Sequence, residues 1–464
     1  MKKIIAVLLT AMLCVSILAA CGGGDAGPGY TPIEDRTSKT INVWSFTVEV
    51  PDAIQRFKEL NPGFDYDINV TVIPTDGGGY QQALSQALLA GGPDAPDIFT
   101  AESAFVLNHS QADLAHISLP YSIVFGEDVM GKVRAAEIAT YAWELGTRLT
   151  DNELVALPFQ ATGSAFIYRR SLATEIWGTD DPATIESKVG PGWDKFLIAA
   201  EEAKAKGIAI LPGEGDAWQA IRSGATTPWV VDGKLNLDSH RAQYLDIGNA
   251  LYNNDYTLKA GAWGESWFGA MGGTTEPPVL GLLGPAWLIN YVMVDNVGDT
   301  WGDWAICNPP TGFSWGGTWV FANGRGFAEL EGMRTLIEWI TLDTSDSGFQ
   351  YKFANGSLFE DSVLFPDKAE AFFNGEFTKD TVASGVVMAK SNGEVSILDG
   401  QNMFDVFIPA GANASGAGFG PYDETINAAF ADQAEQFFMG NKSRDQAIAD
   451  FYQAVLDELD IPSS

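Results

Sequence analysis

The chain has 464 residues and a formal net charge of −33, with 60 Asp and Glu against 27 Lys and Arg. That length is enough for two or three domains, and 46% hydrophobic residues can fill sizeable cores. So acidic a body repels phosphate backbones and anionic lipid, which argues against nucleic acid as a partner.

Lys2 and Lys3 precede an uncharged run, Ile4 to Ala20, that ends in small residues. This is the pattern of a secretory signal, and it is too short and too weakly flanked for a resident transmembrane helix. Leu18-Ala19-Ala20-Cys21, followed by Gly22-Gly23-Gly24, resembles the lipobox of bacterial lipoproteins. The resemblance implies removal of residues 1–20, lipidation of Cys21 and a body held outside the plasma membrane by acyl chains. Residues 21–39 are rich in Gly, Pro, Asp and Thr, have no apolar period, and read as a flexible tether. Cys14, Cys21 and Cys307 are the cysteines, so a mature body would keep Cys307 alone, without an intrachain disulfide. Cys307 lies in the apolar run Trp304-Ala305-Ile306-Cys307 and reads as a small buried hydrophobe.

From Thr40 onward, strands and helices alternate. Residues 41–46 are strand-like, and 51–60 place Ile54, Phe57 and Leu60 at helical spacing before Asn61-Pro62-Gly63 stops the helix. Residues 68–73 predict a strand, 80–90 a helix and 97–100 a short strand. The alternation predicts a mostly parallel α/β sheet with ligands at the carboxyl ends of its strands. Those ends are Trp44 to Thr47, with Ser45; Asp76 to Tyr80; and Ala101 to Ser103, with Glu102. Asp76-Gly77-Gly78-Gly79-Tyr80 lacks the spacing of a phosphate loop and reads as a turn before a helix.

Farther on, helices are expected at 193–206, 238–252, 330–340, 428–438 and 444–459, with 361–371 lying near the third. The apolar run from Pro278 to Val292 is too short and too broken for a membrane span. Nine tryptophans cluster between positions 218 and 319: Trp218, Trp229, Trp263, Trp267, Trp287, Trp301, Trp304, Trp315 and Trp319. Indoles suit amphipathic ligands such as sugars, which show C–H faces and hydroxyl rims. Because aromatic clusters often simply fill cores, about a third of these are expected at a ligand site. Trp263-Gly264-Glu265-Ser266-Trp267 reads as a loop with a carboxylate between two aromatics, which either lines a cleft or is an ordinary surface turn.

Catalytic patterns are sparse. Gly312-Phe313-Ser314-Trp315-Gly316 matches the nucleophile elbow, but that chemistry needs a later histidine, and His109, His116 and His240 all precede Ser314. The same three histidines form no metal-binding motif. Asp343 to Gly348 begins like a calcium loop, yet its twelfth position is Ala354 where Glu is required. We therefore expect no catalytic residue, metal or cofactor, although composition alone leaves room for a surface-tethered glycoside hydrolase, a non-transport carbohydrate-binding lipoprotein or an adhesin.

The order of segments resembles the maltose-binding-protein-like extracellular solute-binding proteins (family 1), the sugar-binding lipoproteins of bacterial ABC importers. The resemblance rests on the opening strand–helix alternation with its Pro-Asp-Ile strand, then Leu157-Pro158-Phe159-Gln160, Gly192-Trp193-Asp194-Lys195-Phe196, Gly284-Pro285-Ala286-Trp287, Ser314 to Trp319, Trp339-Ile340-Thr341 and Tyr422-Asp423-Glu424. It implies a two-lobe periplasmic-binding-protein fold of the α/β class, each lobe a central sheet flanked by helices, with several hinge crossings. Lobe 1 would be 40–161 with 317–375 returning to it; lobe 2 would be 162–316 completed by 376–464. It further implies a monomer that captures a carbohydrate, an oligosaccharide given so many tryptophans, and delivers it to ABC permease subunits. The expected ligand-binding residues are Trp44, Ser45, Glu102, Gln160, Trp263, Glu265, Trp267, Trp287, Trp315, Gly316, Tyr422 and Asp423.

Overall fold

The computed structural model describes residues 29–75, 78–374 and 379–463; the signal, Cys21 and residues 22–28 lie outside them, whereas the rest of the expected tether is not free but packs on the body, where buried Arg36 donates to Asn323 O and Gly324 O and Tyr30 to Ser118 O. Thr40–Ser45 forms the first strand, with Ile41, Val43 and Ser45 turned inward. The following helix, Glu49–Leu60, buries Ile54 and Phe57 as its spacing requires. Five strands make the first sheet, in the order Asp67–Val72, Thr40–Ser45, Ile98–Glu102, Thr318–Ala322, Ala156–Pro158. The first three are parallel, as the alternation predicted, but Thr318–Ala322 runs antiparallel to both its neighbours. It enters from the other lobe, whereas Ala156–Pro158 leaves toward it.

The second sheet has three antiparallel strands, Gly281–Gly284, Ala165–Arg169 and Trp304–Cys307. Its central strand alternates between two cores. Phe166 and Tyr168 join one cluster with Phe196, Trp218, Phe430 and Phe451. Ala165 and Ile167 join another with Trp267, Leu288, Met293 and Phe404. A sheet covered on both faces needs an unbroken apolar run, and Ala165-Phe166-Ile167-Tyr168 supplies it. Cys307 is buried in the first of these clusters. The helix expected over 238–252 is two, Ser239–Ala242 and Tyr244–Asn253, with Asp238 capping the first.

Among the described residues, three connectors pass between the lobes side by side: residues 159–164, 308–317 and 379–384. Ser164 N–H donates to Phe313 O (3.0 Å), Trp315 N–H to Thr162 O (3.1 Å) and Ala383 N–H to Phe159 O (2.8 Å). The hydroxyls of Thr162 and Thr381 donate to Gly316 O and Ala161 O at 2.8 and 2.6 Å. Gly163 lies where this ribbon meets the helix Phe404–Asn413; a Cβ there would stand 2.3 Å from Gly411 N. Gly163→Ala should therefore cost about 1–3 kcal/mol by overpacking, read as a lower urea midpoint; an unchanged midpoint would show that the contact yields freely.

Candidate functional site

Between the lobes lie two adjoining chambers that share Glu102, Trp315 and Gly316. The central chamber, about 360 Å³, is rich in aromatic side chains, Phe46, Phe159, Trp263, Trp287, Tyr291 and Trp315, with Glu49 and Gln160 among its polar lining. Trp263 and Trp287 are parallel, 2° apart in plane and 6.3 Å between centroids, and Trp315 stands edge-on to both, at 72° and 70°. Trp287 Nε1 donates to Trp315 O at 2.8 Å, which ties the platform to the second connector. Trp263 is 52% exposed and its backbone is left-handed (φ 66°); such conformations in a non-glycine residue store of order 1–3 kcal/mol and gather at ligand clamps. Gly316 also has a positive φ, and a Cβ on it would meet Trp287 Nε1 at 3.0 Å. Tyr291 sits on a π-helical turn, Leu288–Met293, an irregularity frequent at functional sites.

The inner chamber, about 240 Å³, is polar, lined by Glu102 from lobe 1 and by Arg222, Asp423, Glu424 and Asn427 from lobe 2. Arg222 pairs with Glu424 at 3.6 Å. Burial pushes the Glu102 carboxyl up from its usual range, against the Ser103 hydroxyl and Ala104 N–H that it accepts. Burial also raises Asp423 to about 7, opposed by the Gly420 N–H and by Arg241 and Arg222. Its Oδ1 is buried and has no partner. Gln160 Nε2 donates to Asp380, which burial likewise lifts to about 7. The arrangement offers flat apolar faces beside a ring of acceptors, which suits a ligand rich in C–H faces and hydroxyl donors.

The family model of bacterial extracellular solute-binding proteins matches residues 44–323. The chain belongs to this family. No curated protein matches it. Many solved structures resemble it in fold, among them the following three. An extracellular solute-binding protein of family 1 shares 17% identity over 89% of this chain and 99% of its own, with a TM-score of 0.68. The galacto-N-biose-/lacto-N-biose I-binding protein of the ABC transporter from Bifidobacterium longum, in complex with lacto-N-biose, shares 16% over 92% and 98%, at 0.62. The sugar-binding protein MalE from Xanthomonas citri shares 15% over 90% and 96%, at 0.64.

In this solute-binding protein, Glu102, Gln160, Trp263, Trp287, Trp315, Gly316 and Asp423 of the expected residues come together at the two chambers. The others lie elsewhere. Ser45 is fully buried, its Oγ accepting from Thr100 and from Thr47 N–H. Trp44 packs against the first core, and Tyr422 is exposed at the start of the helix Asp423–Phe438. Trp267 is a core residue whose Nε1 donates to Asp216. Glu265, expected in a loop, opens the helix Glu265–Met271, where a carboxylate favours the positive helix end, and lines a separate outer depression. Of the nine clustered tryptophans, Trp263, Trp287 and Trp315 line the chambers, whereas Trp229, Trp267, Trp304 and Trp319 are core residues with their N–H groups bonded. Sequence reasoning missed Glu49, Phe159, Tyr291, Arg222, Glu424 and Asn427. Three of these flank residues it did find, Phe159 beside Gln160 and Glu424 and Asn427 beside Asp423, so the strand and helix ends were themselves the signal.

The raised Asp423 carboxyl predicts a pH-dependent penalty in the ligand-free protein. The folded state holds the proton more tightly than the unfolded chain, whose carboxyl titrates near its ordinary 3.8. Wild type should thus lose stability relative to Asp423→Asn as pH rises from about 4 to 7, with no further change above. Thermal melts at pH 4, 6 and 8 check this; a difference independent of pH would contradict it.

Proposed function

We propose that this solute-binding protein captures a carbohydrate, in oligosaccharide form, and delivers it to the membrane-spanning subunits of an ABC importer. The observation that carries the reading is the set of three indoles, two parallel and one perpendicular, set beside carboxylates and amides in the cleft between lobes. Sugar rings would lie on the indoles, each stack contributing on the order of 1 kcal/mol. Glu102, Gln160, Asp423 and Glu424 would accept hydroxyls, and the unpartnered Oδ1 of Asp423 is a ready acceptor. The lacto-N-biose in the complex of the similar Bifidobacterium longum protein, and the sugar binding named for MalE, support the ligand class.

A ligand that touches both lobes binds their closed arrangement better and so shifts the population toward it. The importer would read that closed shape. Two connected chambers give room for more than one ring, which supports the oligosaccharide form. On the lipobox-like Cys21 rests the further proposal that a lipid anchor holds the protein, as a monomer, at the outer face of the plasma membrane. Lobe boundaries at 161/162, 316/317 and 375/376 belong to the same proposal. No helix among the described residues is long and apolar enough to cross a membrane.

Tryptophan emission and melting temperature, followed across a glycan panel, test this reading. An oligosaccharide should shift both, and Trp263→Ala, at an exposed position, should weaken binding about tenfold, the equivalent of 1.4 kcal/mol, without changing the melt of the free protein. Absence of any response across the panel would refute the carbohydrate assignment, and release of shortened sugars would point to a glycoside hydrolase.

A further inference from the structure

The cleft does not end at the central chamber. A third compartment of about 290 Å³ adjoins it and shares Glu49 and Tyr291 with it. Aliphatic and phenyl side chains replace the indoles on its walls: Val48, Phe353, Leu358, Phe359 and Ala371, with the stem of Lys368. The charged groups on these walls are spent on each other, since Lys368 Nζ pairs with Asp52 at 2.6 Å and lies 4.5 Å from the Phe359 ring centroid. A hydroxyl entering here would give up water and find few partners, which disfavours a further sugar ring. An apolar group would gain by burial. At the neck the balance reverses, because Glu49 Oε2 is buried and has no partner, so a hydroxyl passing there would satisfy it.

We propose that this outer compartment is a subsite for an apolar substituent, aromatic or acyl, carried on the saccharide that occupies the neighbouring chamber, with Glu49 accepting a hydroxyl at the junction. The proposal rests on the carbohydrate reading and narrows its ligand to glycosides or esters with one apolar end.

Two kinds of probe separate this proposal from the reading beneath it. N-phenyl-1-naphthylamine, neutral and apolar, reports the compartment by its fluorescence. Maltose, cellobiose and lactose, each beside its 4-nitrophenyl glycoside, report the coupling to sugar by calorimetry. The naphthylamine should bind wild type and bind at least tenfold more weakly to Ala371→Trp, which fills the compartment, and to Val48→Asp, which places a charge on an exposed part of its wall. A disaccharide that binds should bind at least tenfold more tightly as its nitrophenyl glycoside, and both variants should remove that ratio while leaving the parent sugar's affinity unchanged. Equal affinity of sugar and glycoside in wild type, or naphthylamine binding indifferent to both variants, overturns the proposal while the carbohydrate reading stands. Loss of all sugar and glycoside binding, with naphthylamine still following the variants, overturns the carbohydrate reading and removes the saccharide from this proposal. Dimerisation that the variants abolish would mean that a second copy covers the patch, and would likewise overturn it.

Discussion

Everything at the cleft depends on the hydrogen bonding among the three chain segments that join the lobes. Segment 159–164 is held on one side by 313–318 and on the other by 381–383. Backbone pairing of this kind fixes spacing without side chains, so small residues suffice, and Gly163, Gly316 and Gly317 provide them. The same few residues that bridge the lobes also carry Gln160, Trp315 and Gly316 into the chambers. A change in lobe orientation must therefore move the binding surface, which is the physical link between occupancy and shape.

The second dependence is between aromatic and acidic groups. The indoles line the central chamber, and burial raises the carboxyls of Glu102, Asp423 and Asp380. Buried acceptors without full partners cost stability in the empty protein. A polyhydroxylated ligand of the kind proposed would supply the missing donors and recover that cost. The strong negative charge of the whole chain adds little at this scale, because exposed charges are screened within about 8 Å at physiological salt.

Much of the fold was legible in the chain. Period-two and helical spacing placed the first strands and helices to within a residue or two, whereas the doubly covered strand Ala165–Arg169 was not read from the chain. What the pattern could not give was direction. Thr318–Ala322 reads like any apolar strand, and only its arrival from the other lobe makes it antiparallel. At the site, Gly316 lets the backbone lie close against Trp287, whereas Trp267 and Ser45 are the right residue types with their polar atoms already engaged in the interior. A hydrogen bond to Asp216 or Thr100 is a long-range fact that no local motif encodes. Tyr291 lay hidden because its π-helical turn breaks the spacing from which a helical face is read.

The central claim is a clamp whose two lobes close on a ligand held between indoles. Small-angle X-ray scattering of the protein with and without the saccharide that shifts its tryptophan emission most tests this directly. The account predicts a smaller radius of gyration at saturation, with the effect lost when Trp263, Trp287 and Trp315 are all replaced by alanine. A scattering profile unchanged by saturating sugar would contradict it.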